Sequence, residues 1–259
     1  MSTYDETLKK YALQVLVLEC PYDTFTTSEF TRELLMEIFK LKLDGYCSKY
    51  PYGVMPVSEY DFMGTHICIA QFDGQKYTPI SAFKSITSRT CRTFRTAFPA
   101  INSLFGNQRE DYPEFVNAIS KWQDDLDARG IEYAYNASWT MKTNLPAELR
   151  EVVRNLAYGL FYLHYRTEHL DYVINATSAK FQVNKHQEVM GLKYLSDLKG
   201  EPLPALISPM FFNESYFLMY VDDGFYSDLF KRRCDPFEAL WNDRLVVARG
   251  RPQEIKKAA

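Results

Sequence analysis

Two carboxylates, Glu59 and Asp61, stand two residues apart in a segment crowded with tyrosines and interrupted by Pro51 and Pro56. Such a pair can orient an amine or take its proton; the plainer reading is an exposed charged turn. Further along, Lys84, Arg89, Arg92 and Arg95 make the most concentrated basic stretch of the chain. A patch of this kind can dock an acidic partner or a substrate carboxylate, or it is simply a solvated loop. The four histidines, His66, His164, His169 and His186, show no HExxH or Cys/His spacing, so no metal site is expected. The five cysteines include no CxxC pair, and their odd number suits a reducing compartment better than a disulfide framework.

These side chains need elements to hold them. Residues 12–18 (ALQVLVL) read as a buried strand closed off by Cys20-Pro21. Thr26 and Glu29 form a capping-box pattern, and Phe30, Leu34, Ile38 and Leu41 share one face of a helix predicted over 27–44. Residues 42–60 read as an ordered loop that carries something. Strand-like runs at 66–72 and 77–88 flank Asp73-Gly74, a hairpin signal. Between 89 and 112, Pro99 and Gly106-Asn107 interrupt any period and no element is assigned. Phe115, Ile119, Trp122 and Leu126 then predict a helix ended by Gly130. The remainder reads as strand 131–140, helix 146–168, strand 170–176, helix 178–190, and strands at 192–197 and 215–222. That order describes a mixed α/β sheet, not a pure βαβ repeat.

Composition narrows the classes. The 259 residues are 46% hydrophobic and 24% charged with a formal charge of −3, which offers no global field for a polyanion such as nucleic acid. No run approaches the roughly 18 apolar residues a membrane span requires, and the start has neither a signal h-region nor a cleavage site. A cytoplasmic location is expected. Aromatic residues reach 15%, which suits a groove for an apolar ligand as well as an ordinary core. The chain reads as one domain over 1–259, with an N-terminal half (1–110), a second half (111–245) and a flexible tail (246–259).

The unit from 131 to 222 resembles the conserved half of the GNAT N-acyltransferase superfamily, and the strand, helix and hairpin before it resemble that superfamily's first half. Gly191-Leu192, within VNKHQEVMGLKYL, matches its helix-to-strand passage. Three phrases are similar to the acyl-homoserine-lactone (autoinducer) synthases and N-acyl amino acid synthases. They are Glu59-Tyr60-Asp61 ahead of a strand beginning near His66, SAFK (81–84) in place of a small-x-x-Arg, and AFPAINSLF (97–105) in place of a Phe-Pro-x-Leu segment. A fourth departs from the pattern. Tyr135-Asn136-Ala137-Ser138-Trp139-Thr140 keeps the serine of a Trp-Glu-x-Ser-Arg-Phe strand but replaces its glutamate and arginine, which counts against lactone synthesis. Residues 141–150 (MKTNLPAELR) contain no glycine, whereas acetyl-CoA enzymes of the superfamily wrap the pyrophosphate with a glycine-containing loop.

The resemblance implies a GNAT-like mixed central sheet flanked by helices, with splayed central parallel strands. It implies attack of an amine on an acyl thioester, which calls for a deprotonated amine, oxyanion donors and a sheltered groove. Glu59, Asp61, Glu132 and Ser138 are the catalytic candidates; a solvated strand end and a satisfied core hydroxyl are the plainer readings of the last two. Ala137, Trp139, Thr140, Met141 and Arg150 would bind the acyl donor, and Lys84, Arg89 and Arg92 would contact the acceptor or a carrier. His186 and Gln187 occupy the place of a tyrosine that protonates the leaving thiolate in acetyl-CoA enzymes. The expected donor is an acyl-phosphopantetheine on acyl carrier protein, or acyl-CoA, used as a co-substrate with no permanently bound cofactor; the acceptor is an amine-bearing small molecule such as an amino acid. A GNAT-like binding module without turnover and an acetyl-CoA-dependent acetyltransferase are the alternatives.

Overall fold

The computed structural model describes residues 3–50, 57–102, 112–208 and 214–247. In chain order, helix α1 (Thr3–Lys10) leads into strand β1 (Leu13–Glu19), and a 3-10 turn (Pro21–Asp23) precedes helix α2 (Glu29–Cys47). A short helix α3 (Tyr60–Met63) opens the hairpin β2 (Thr65–Phe72) and β3 (Tyr77–Thr87), followed by helices α4 (Ser88–Phe94), α5 (Pro99–Asn102) and α6 (Tyr112–Ala128). The second half runs β4 (Tyr133–Met141), α7 (Ala147–Thr167), β5 (Tyr172–Ser178), α8 (Val183–Met190), β6 (Lys193–Tyr194), β7 (Leu206–Ser208) and β8 (Glu214–Val221). Helices α9 (Asp228–Cys234) and α10 (Glu238–Asn242) and strand β9 (Leu245–Val247) complete it.

The nine strands among the described residues join one mixed sheet in the order β6-β8-β5-β4-β3-β2-β1-β9, with β7 also paired to β8. The pairs β1/β9 and β4/β5 are parallel; the others are antiparallel. Alternation along the strands sends side chains to two layers. Val15, Val17, Phe83, Ala134 and Val173 face α7, whose stripe of Leu149, Val153, Leu156, Leu160 and Leu163 is buried against them. Leu16, Leu18, Cys68 and Ala82 face the stripe Leu34, Leu35, Ile38 and Leu41 of α2 on the other side. There, too, α6 covers the far end of the sheet through Phe115, Ile119 and Leu126, against Tyr133, Tyr135 and Ile174. This is the mixed sheet flanked by helices that the sequence led us to expect, and it is GNAT-like.

Several elements differ from their sequence readings for identifiable reasons. Helix α2 starts later than the Thr26 pattern suggests, because Thr27 N and Ser28 N still bond Thr24 O in a turn and Ser28 Oγ becomes the cap, accepting from Thr31 N. It also ends later, at Cys47 rather than 44, because Lys42 continues the buried face and finds a buried carboxylate there. Helix α4 arises in the stretch left unassigned, capped by Thr87 Oγ1 accepting from Thr90 N. Helix α8 begins at Val183, after a turn in which Gln182 takes a left-handed φ of 54°. The strand expected over 192–197 shrinks to Lys193–Tyr194 with a bridge from Ser196 to Pro202. Residues 246 and 247 belong to β9, while the rest of the expected tail lies outside the described residues. The short elements α1, α9, α10, β7 and β9 carry too few residues to show a period.

Gly191, the residue that anchored the family match, ends α8 at φ 106°, and a Cβ there would lie 2.9 Å from Ser227 N. Both the backbone region and the clash exclude a side chain. Gly191→Ala is expected to cost about 1–3 kcal/mol in urea unfolding; a loss below a few tenths would contradict this packing.

Candidate functional site

The parallel ladder between β4 and β5 is short. It pairs Tyr133 with Tyr172, Ala134 with Val173, Tyr135 with Ile174 and Asn136 with Asn175, and there it stops. Residues 137–141 of β4 and 176–178 of β5 have no partner in each other, although β5 goes on pairing with β8 and β4 with β3. The divergence has a local cause. Lys84 of β3 pairs with Ala137 and Ala82 with Thr140, so Phe83 alone stands opposite both Ser138 and Trp139. That is a β-bulge, and Ser138 takes a φ of 56° within it. A bulge bends its strand and sharpens the twist, which turns β4 away from β5.

A narrow cleft with only about 10 Å³ of internal room, about the space of one water, lies where the strands part, walled by Asn136 and Trp139 of β4, Tyr158 and Phe161 of α7, and Gln187 and Met190 of α8. The Trp139 and Tyr158 rings meet edge to face at 4.4 Å, and the exposed His186 ring lies 5.4 Å from Tyr158. Burial pushes the Tyr158 phenol well above its ordinary pKa. The floor is polar. Asn136 and Asn175 are side by side on the last rung and face α7, whose Tyr165 Oη donates to Asn136 Oδ1 at 3.4 Å. Asn175 is 1% exposed, yet neither atom of its amide has a hydrogen-bond partner among the described residues; Thr177 Oγ1 and Gln187 Oε1 are likewise unpartnered. Buried polar atoms left this way are costly, and Gln187, which lines the cleft, could be satisfied by a ligand there; Asn175 and Thr177 lie behind the lining.

The sequence candidates distribute unevenly over this site. Ala137, Ser138, Trp139, Thr140 and Met141 all fall on the unpaired part of β4. Trp139 lines the cleft, whereas Thr140 faces α2 closely enough that a Cβ on Gly45 would sit 2.4 Å from its Oγ1. Arg150 is on the surface, where its guanidinium donates to Leu145 O at 3.0 Å and Thr143 O at 3.5 Å and so braces the β4–α7 turn. Glu132 and Arg89 form an ion pair with each other. They and Arg92, which pairs with Asp127, sit at the start of β4, roughly 20 Å along the strand from the bulge. Glu132, Arg89 and Arg92 thus lie at the other end of β4 from the cleft, whereas Lys84 of the same basic stretch pairs with Ala137 beside the bulge.

Asp61 and Lys84, assigned separate roles by the sequence, meet in a buried cluster on the α2 side of the bulge. Asp61 Oδ2 accepts from Lys84 Nζ at 2.7 Å and from Ser58 N at 2.8 Å, and Oδ1 is bonded by Lys42 Nζ of α2. Burial alone would raise the Asp61 pKa, but Lys42 and Lys84 outweigh it and hold the carboxyl well below its usual range. Burial and the charge of Lys42 push Lys84 down to about 8. Burial likewise takes His66, whose Nε2 lies 2.7 Å from Asp61 O, down to about 3. An aspartate this fully engaged is a clamp between α2, α3 and β3, and a poor proton acceptor. Glu59, next to it, is exposed at the start of α3. Lys42 was legible in principle: it stands four residues after Ile38, on the apolar stripe of α2.

A sheet whose two central parallel strands part beyond a bulge, with helices on both faces, is the fold of the GNAT-type N-acyltransferases. No protein-family model matches the chain, and no curated protein matches it. Among solved structures, the CoA-dependent acyl-homoserine lactone synthase BjaI, bound to SAM and isopentyl-CoA, superposes with a TM-score of 0.53 over 93% of this chain and 95% of its own, at 10% identity. FeeM, an N-acyl amino acid synthase from uncultured soil microbes, covers 81% of this chain and 91% of its own, at a TM-score of 0.49 and 10% identity. At such identities the likeness is one of fold.

The ion cluster makes a sharp contrast with the surface pair. Asp61→Asn leaves two buried ammonium groups without their counter-charge and is expected to cost about 3–5 kcal/mol in denaturant unfolding. Glu132→Gln should change stability by less than about 1 kcal/mol. Equal effects would contradict the buried assignment.

Proposed function

We propose that the protein forms an amide, transferring an acyl group from a thioester to the amine of an amino-acid-like acceptor, with the thioester's arm lying between β4 and β5. The observation that carries this reading is the end of the β4/β5 ladder at Asn136 and Asn175, which leaves strand backbone without a partner across the gap, next to the unpartnered polar side chains of Asn175, Thr177 and Gln187, the last of them in the cleft wall. In this reading the wall 137–141 binds the donor, and Ser138, on the bulge, stands nearest the reacting carbonyl. Asp61 and Lys84 position β3 behind it, Glu59 stays a candidate for contact with the acceptor, and Glu132, Arg89 and Arg92 take no part in the chemistry. As the C–N bond forms and the C–S bond breaks, Tyr158, in the cleft wall, is the hydroxyl best placed to give a proton to the leaving thiolate, and the proton lost by the amine returns to its phenolate through solvent.

The donor we favour is an acyl carrier protein, with acyl-CoA second. Pro146, at the start of α7, has no N–H to offer a phosphate, and Glu148 in the first turn sets a negative charge where a polyanion would gather. Glu148 is itself held by Lys10 Nζ at 2.6 Å and Tyr11 Oη at 2.5 Å. An arm presented by a carrier protein brings a single phosphate and leaves that end of the helix unburdened.

Incubation with acyl carrier protein thioesters, acyl-CoA or acetyl-CoA and pooled amino acids, followed by mass spectrometry, is expected to yield an N-acyl amino acid, fastest with the carrier protein. Product with acetyl-CoA alone would overturn the donor assignment, and no amide with any donor would leave a binding module. Asn175→Leu separates ligand contact from structure. Removing an unpartnered amide should leave stability equal or higher, while KM for the thioester rises about tenfold.

A further inference from the structure

On the face of the sheet opposite the Trp139–Tyr158 cleft, the open end of the slot is bridged by a small cage. Gly45 of α2 rides directly over Thr140 in the unpaired part of β4, so the residues that follow α2 arrive at the slot's rim. There Tyr50 Oη donates to Glu214 Oε2 at 3.0 Å. Glu214 begins β8, beside the end of β5, where Ala179 N bonds Ser215 O at 3.0 Å. Its other carboxylate oxygen is bonded by the ammonium of Lys180, just past β5. That ammonium also lies 5.6 Å from the centroid of the Tyr50 ring and 5.6 Å from that of Phe181. A carboxylate and two aromatic faces around one position are a receptor for an organic ammonium ion, through charge, hydrogen bonding and cation–π attraction together.

The receptor and its occupant differ in a telling way. The Glu214 side chain is 16% exposed and Tyr50 8%, Phe181 forms the open rim at 43% with the Lys49 ammonium also 5.9 Å from its ring, and the Lys180 side chain is 49% exposed and can swing into water. A half-exposed lysine gains little from its ion pair and gives it up readily. We propose that Glu214, Tyr50 and Phe181 bind the ammonium group of the amine-bearing acceptor, and that Lys180 fills this position only until the acceptor displaces it. The inference rests on the amide-forming reading for its biological meaning and names the acceptor's entry point, on the side of the sheet away from the α7–α8 cleft. It also supplies a carboxylate for the acceptor that the sequence reading did not single out.

The test is a binding comparison that needs no turnover. In NMR titrations of the full chain with n-butylammonium chloride, Lys180→Met is expected to bind about tenfold more tightly than the unaltered protein, with shifts at residues 178–182 and 214–216. Lys180→Gln, which keeps a polar surface, serves as the second variant, and either must show the gain. Glu214→Gln added to the lysine variant should abolish it, and n-butanol should bind neither. No gain in either lysine variant, or equal gains for butanol and butylammonium, would overturn the proposal. In the amide assay the same lysine variants should lower KM for the acceptor, with KM for the thioester unchanged. Absence of amide with every donor would remove the acyl-transfer reading while the titration still decides the cage.

Discussion

Backbone pairing between β4 and β5 cannot continue past Asn136 and Asn175, and the candidate site follows from that limit. A parallel ladder ordinarily pairs the whole length of its strands, because an unpaired N–H or C=O buried in a sheet is costly. Here the bulge opposite Phe83 puts two residues where the ladder has room for one, and Ser138 absorbs the extra length in a left-handed conformation. Beyond it the two halves of the sheet lean apart. Tyr158, Trp139 and Gln187 occupy the gap from one side; Tyr50, Glu214 and Lys180 span it on the other.

A break at the centre of a sheet needs support elsewhere. On the unbroken side, β1, β2 and β3 form a tight antiparallel set, and the Lys42–Asp61–Lys84 cluster ties α2 and α3 to β3 directly behind the bulge. Two ammonium groups against one carboxylate are a poor way to gain stability, since hydrophobic replacements of such clusters are often as stable or more so. What the cluster supplies is position: it holds α2, the helix whose Gly45 lies over Thr140, and α3 against β3. On the other side, β5 keeps its full pairing with β8, so the rung lost to β4 does not loosen it.

Much of the frame was legible because its elements are long enough to show a period. The stripes of α2, α6 and α7, the Asp73-Gly74 hairpin and the strands β1, β4 and β5 all carry one. The site was less legible. The phrase around Ser138 directed attention to 137–141, but neither composition nor spacing reveals that β4 leaves its neighbour there. Glu132, a catalytic candidate, and Arg89 and Arg92, candidates for acceptor or carrier contact, instead pair with one another or with a nearby surface charge at the far end of the strand. Asn175 and Thr177 did leave a trace: they alternate with Val173 on the inward face of a central parallel strand, where polar side chains are out of place. Glu214 left none. Its partners come from 164 residues earlier and from a turn 34 residues before it, a juxtaposition only the fold makes.

The central claim, that the gap between β4 and β5 holds the arm of a thioester, is tested most directly by a crystal structure of the protein soaked with a non-hydrolysable acyl-phosphopantetheine amide. The account predicts the arm threaded between residues 137–141 and 176–178, its amides bonded to β4 backbone and to Asn175 or Gln187, with its acyl end beside Ser138. An arm bound elsewhere, or a β4/β5 ladder that zips shut past Asn136 when the ligand is present, would contradict it.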